Sequence, residues 1–209
     1  MTVINTLSSS LGQIGNEANI ALAKEIAETE NYEAIIELVE NLKNKDKKIQ
    51  ADCIKVLYET AYIKPKMIAE NYPDFLALLT NKNNRLVWGG MIALMTITDL
   101  KHKEVFSKLD LLSKTIENGS VITIDCGVEI LAKLNKYKAY IDKSEPILIE
   151  QLWKCPIKQL PQYMEKSVIS ITSQNKAIYQ SIIEKRKPEC DKNSQIKRLD
   201  KVLKKIDDL

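Results

Sequence analysis

The sequence predicts an all-α protein, a right-handed α-α superhelix built from stacked helix pairs. Three observations carry this. Apolar residues recur at helical spacing along most of the chain. One such pattern returns at intervals of 37, 36 and 41 residues. Six glycines and six prolines among 209 residues supply too little turn material for a sandwich or barrel.

The first copy is "IQADCIKVLYETAY". Ile49, Cys53, Val56, Leu57 and Thr60 fall on one face. In the second copy, "NNRLVWGGMIALMTIT", Leu86, Gly90, Ala93, Leu94 and Ile97 take the same offsets. The third, "VITIDCGVEILAKL", aligns Cys126 with Gly90 and Cys53. The fourth, "YMEKSVISIT", puts Ser167 at that small position. Each copy follows another amphipathic segment: "EAIIELVENLK", "YPDFLALLT", "VFSKLDLLSKTIE" and "EPILIEQLWK". The unit is therefore a helix pair, and stacked pairs of this length form a solenoid. The reading is one domain over residues 1–209. Capping helices occupy about 1–30, helix-pair repeats 31–185, and a C-terminal capping helix 186–209. That last helix carries an apolar stripe of Ile196, Leu199, Val202, Leu203 and Ile206.

Punctuation fits the pattern. Asp46 and Ser120 are placed to accept hydrogen bonds from free backbone N–H groups at helix starts. Gly119 is expected to end a helix in the left-handed conformation. Pro161 suits a first helical turn, and Pro65, Pro73 and Pro146 mark other starts or breaks. The adjacent glycines of the second copy separate in this register. Gly90, aligned with small residues, should pack against a neighbouring helix. Gly89 aligns with Asp52 and Asp125 and should point outward, so Gly89→Ala should be neutral or stabilising.

"DKKIQADCIKVL" resembles the second-helix pattern of HEAT and armadillo-type repeats, an aspartate before a V-R-x-x-A-x-x-A-L run. Asp46, Ile49, Cys53, Val56 and Leu57 match it, as do Leu86, Gly90, Ala93 and Leu94. Gln50 and Val87 stand at the arginine positions and Asn83 at the second aspartate, so the stacked Asp–Arg ladder of the family is missing. The resemblance spans about residues 31–185. It implies a curved scaffold whose second helices line a concave binding face.

On that face the register places Lys48, Asp52, Lys55, Arg85, Trp88, Gly89, Ile92 and Asp125 as candidate partner contacts. Trp88 either fills the gap between repeats or stands exposed beside Arg85 and Ile92, where tryptophan and arginine make binding hot spots. A protein or peptide partner is the first expectation. The alternative is nucleic-acid binding or base excision, as in the HEAT-like alkylpurine DNA glycosylases. Trp88 and Trp153 are the only tryptophans, and Lys48, Lys55 and Arg85 are mixed with Asp52, Glu59 and Asp125, which suits a polyanion poorly.

No catalytic residue, cofactor or metal site is expected. His102 is the single histidine, and "DLKHKEVF" reads as a polar, solvated connection. This excludes the His-Glu di-iron set of HEAT-like deoxyhypusine hydroxylases. Cys53, Cys126, Cys155 and Cys190 form no C-x-x-C and read as reduced thiols. Phosphate-cradling glycine motifs are absent. A net charge of +3 is too small to argue for nucleic acid. With 44% apolar and 28% charged residues, no secretory leader and no span long enough for a bilayer, the expected location is cytoplasmic, away from membranes.

Overall fold

The computed structural model describes residues 2–209; Met1 lies outside the described residues. Helices, with short 3-10 turns between them, make up the described chain, and no strand occurs among the described residues. The chain divides into two compact units, residues 1–126 and 127–209.

The first unit opens with α1 (Glu17–Thr29) and α2 (Tyr32–Glu40). Glu30 closes α1 in the left-handed region, at φ 52°, and Asn31 N–H returns to the Ile26 carbonyl. Asn31 then caps α2, its side chain accepting from Ala34 N–H at 3.0 Å. The first repeated pattern forms α3 (Lys47–Ile63). Asp46 caps it as expected, accepting from Lys48 N–H at 2.8 Å. Seventeen residues without glycine or proline follow. Lys64, outside the helical region at φ −135° and ψ 80°, ends the helix because a residue before proline is driven out of that region. Pro65 opens a 3-10 turn, and Pro73 sits in the first turn of α4 (Tyr72–Leu78).

The second pattern forms α5 (Asn84–Ile97), with Asn83 taking the capping role of Asp46. Helix α3 packs against α1, α2 and α5, while α4 packs against α5. Ile54, Leu57, Phe75, Leu86, Met91 and Leu94 are fully buried there. A short α6 (His102–Phe106) and α7 (Leu109–Glu117) lead to α8 (Val121–Leu134), inside which the division between units falls.

In the second unit, α9 (Ile141–Lys154), α10 (Leu160–Ser167) and α11 (Lys176–Arg186) pack together, and α12 (Asn193–Asp207) lies on α10 and α11. The α12 stripe buries Leu199, Val202 and Ile206, and half-buries Ile196 and Leu203. A buried cation pins the end of α11. Arg186 Nη1 donates to the Leu152 carbonyl at 2.9 Å, and Nη2 meets Glu189 at 2.9 Å. Tyr179 O–H donates to Glu145 Oε1 at 3.1 Å, which also accepts from Asn175 at 2.7 Å. Burial, with that carboxylate beside it, holds the Tyr179 phenol far above its ordinary range.

Expectations change at five residues. Gly119 has no left-handed backbone; a side chain there would meet Thr123 Cγ2 at 2.5 Å and the Thr115 carbonyl at 2.6 Å, so close packing requires the glycine. Pro146 lies inside α9 and does not start it. Its missing N–H falls only six residues into the helix, near the turn whose donors have no helical partner. His102 begins α6 and is half-buried, because Val105 of the same short helix is drawn fully into the core. Gly89 and Ile92 are buried, as described with the site. No described helix is long and apolar enough to cross a membrane.

Candidate functional site

The repeat places the N-terminal halves of α3 and α5 beside each other in the first unit. Side chains one turn apart on each helix share a face. Asp52, Lys55 and Tyr58 of α3 therefore meet Arg85 and Trp88 of α5 around a hollow of about 230 Å³. Ala51 and Asn16 complete it. Four of the residues singled out in the sequence are thus brought together. Lys48 borders a neighbouring hollow of about 510 Å³ with Asp52, Arg85 and the loop from Ser8 to Asn16.

Trp88 satisfies part of both readings. It is half-buried, its ring tilted at 56° to Tyr58 with centroids 6.3 Å apart, yet it still lines the hollow. Tyr58 passes the contact on to Tyr62, edge to face at 6.2 Å. Lys55 lies over the Tyr58 ring at 4.9 Å and is ion-paired with Glu59 one turn on. Burial by itself would lower the Lys55 ammonium. The Glu59 carboxylate and the Tyr58 oxygen outweigh it, so the group is held above the usual lysine range.

Asp52 does more than face outward. Its Oδ2 accepts from Ser9 N–H at 2.8 Å, which ties the N-terminal loop to α3. The same loop is held by Ser8 N–H donating to Asn19 Oδ1 at 2.9 Å. Asp52→Ala is expected to cost about 1–3 kcal/mol, since a hydrogen bond to a charged acceptor is lost. Faster hydrogen exchange at the Ser9 amide, with the α5 amides unchanged, is the check.

Two candidates leave the face. Gly89 is buried: a Cβ there would stand 2.6 Å from Ile54 Cγ1 and 3.0 Å from Cγ2. The outward reading fails because α3 passes directly beside α5 at this level. Ile92, one turn further, is 8% exposed and is buried too. Asp125, half-buried on α8, does not line either hollow. Gly90 packs as expected, its position for a Cβ lying 2.9 Å from the Phe75 carbonyl and 3.0 Å from Leu78 Cβ.

Tyr58 and Asn16 were missed in the sequence. Tyr58 lies three residues after Lys55, so helical spacing alone would have added it to the face. Asn16 belongs to a loop whose path no periodicity encodes. Among the described residues no three His, Cys, Asp or Glu side chains group as metal ligands do.

No protein-family model matches the sequence, and no curated protein matches it significantly. Solved structures do resemble the chain. A designed armadillo repeat protein in complex with the peptide (KR)4 aligns with a TM-score of 0.67 at 15% identity, over 90% of each chain. Computationally designed armadillo repeat proteins for modular peptide recognition align at 0.67 and 14%, over 97% of this chain and 98% of theirs. An engineered protein solved by a structural genomics consortium aligns at 0.65 and 17%, over 99% of this chain and 94% of its own. At such identities a likeness establishes architecture alone. The chain has the all-α superhelical fold of armadillo and HEAT-type repeats, a scaffold of stacked helix pairs.

Proposed function

We propose that this protein is a non-enzymatic interaction scaffold that takes a protein or peptide partner over the α3–α5 face. One observation carries the reading. Arg85 and Trp88 of one repeat converge with Asp52, Lys55 and Tyr58 of the preceding repeat on a single hollow. Half-buried Trp88, backed by the buried Tyr58 ring and flanked by cations of both repeats, has the composition of a binding hot spot. Asp52 within the hollow and Glu59 beside Lys55 set carboxylates where a nucleic-acid backbone would run, so a peptide fits better than a nucleic-acid strand. The similar designed proteins, one solved with a peptide and others made for peptide recognition, support the same reading by analogy.

A random peptide library displayed on phage and panned against the full chain tests it. Selected peptides should lose about tenfold or more in affinity on Trp88→Ala or Arg85→Ala, the size of a hot-spot truncation. The thermal melt of the Arg85→Ala protein should match the parent, because this side chain is exposed. A library that yields no binder, or binders indifferent to both substitutions, would reject the proposal.

A further inference from the structure

Beside the hollow, the loops that start α3 and α5 enclose an open cleft of about 840 Å³. Lys45, Lys47 and Lys48 line it from one loop, Lys82 and Arg85 from the other. All five side chains are exposed, and among the described residues none of them makes an ion pair. The two loops, "NKDKK" and "NKNNR", carry one carboxylate between them, Asp46. It is occupied in capping α3.

The cations follow the repeat. Lys45 and Lys82 stand 37 residues apart, and so do Lys48 and Arg85, the interval that separates Cys53 from Gly90. These two repeats thus carry the same two charges at the same helix start, and packing of α3 on α5 sets the copies side by side. Exposed lysines are usually distributed among carboxylates. Two matched rungs of unpaired cations concentrate positive potential along one cleft.

Two asparagines of the second loop add donors. Asn81 Oδ1 accepts from Asn83 N–H at 2.8 Å, and Asn83 Oδ1 accepts from Arg85 N–H at 3.0 Å. Each amide is thereby oriented with its acceptor used and its NH₂ left to donate. Both helix starts are already capped by their own side chains. The cleft is therefore a side-chain site, rich in donors and cations.

We infer that this cleft docks an acidic segment of the partner, with glutamate or aspartate side chains between the Lys45–Lys82 and Lys48–Arg85 rungs. The inference rests on the peptide-scaffold reading and gives the partner its charge. Lys48 and Arg85 border both this cleft and the hollow that holds Asp52. One extended peptide can therefore fill the cleft with carboxylates and reach half-buried Trp88. A nucleic-acid strand would have to continue from the cleft past Asp52, against its charge.

The test uses the full chain and fluorescein-labelled octaglutamate, followed by fluorescence anisotropy at low and high sodium chloride. Octalysine and octathymidylate are run beside it. Octaglutamate should bind, weaken with salt, and exceed both other probes. Lys48→Glu with Arg85→Glu should weaken it about tenfold or more, as should Lys45→Glu with Lys82→Glu, since each exposed pair adds only a small factor and reversal also adds repulsion. Lys138→Glu with Lys158→Glu changes net charge equally on the second unit and should leave binding within about twofold. Absence of octaglutamate binding would overturn the inference. So would equal losses in all three double variants, or octathymidylate binding as tightly as octaglutamate. If library peptides bind through Trp88 while octaglutamate fails, the acidic cleft falls and the scaffold reading stands. If no peptide binds at all, both fall.

Discussion

Gly89→Leu should destabilise the first unit by about 1–3 kcal/mol or more, read as a fall in the urea midpoint. The side chain would be driven into Ile54, which is 1% exposed and held by a β-branched Cβ with little rotamer freedom. Gly89→Ala is the sharper probe. Helix propensity favours alanine by about 1 kcal/mol. The 2.6 Å approach to Ile54 Cγ1 opposes it, and that atom sits next to the backbone where it cannot swing clear. A net loss of stability is expected. Ile54→Ala removes the obstructing atoms, so the double variant should be more stable than the two single losses predict. Gly90→Ala offers a control. Its obstruction is the Phe75 carbonyl, a backbone atom that no side-chain deletion removes. Gly89→Ala that is neutral or stabilising, with no coupling to Ile54, would contradict the packing described.

Phe75→Ala should cost about 3–5 kcal/mol, the largest effect expected from one truncation here. The ring is fully buried on a seven-residue helix that packs on α5, and it is the largest side chain that helix buries. Phe75→Leu keeps most of the volume and should cost under about 1.5 kcal/mol. Equilibrium denaturation of both variants checks the pair. A loss below about 1 kcal/mol for alanine would mean that the ring does not pack as described.

The helix pairs were legible because burial imposes its period on the sequence. The 37-residue offset located α3 and α5, and it located their caps, since Asp46 and Asn83 occupy one position. Orientation within the pair was less legible. The register put Gly89 where Asp52 stands, and Asp52 faces a polar loop through Ser9. At the same offset on α5 the neighbour is Ile54 of α3. Equal positions in a repeat do not have equal neighbours, because the first copy is covered by the N-terminal loop and the second by a helix. The hollow around Trp88 followed from the face that the register named. The cation cleft did not, because loops carry no hydrophobic period and its charges count only once two loops are adjacent.

The buried thiols give each unit a clock. Cys53 is 0% exposed in the first unit, and burial, with the Asp52 and Glu37 carboxylates nearby, pushes its thiol up to about 12. Cys155 is 6% exposed in the second, raised by burial though the Arg186 guanidinium beside it pulls the other way. Neither presents a thiolate to a reagent while its surroundings stay closed. Alkylation of each must therefore wait for an opening event, and its rate relative to a free thiol measures how often that event occurs. Half-exposed Cys190, its thiol raised by burial and by the Glu189 and Asp191 carboxylates, is the more accessible site and supplies an internal reference in the same molecule. Peptide mapping of a single alkylation time course would then separate the opening of residues around Cys53 from that around Cys155, with no label or substitution introduced.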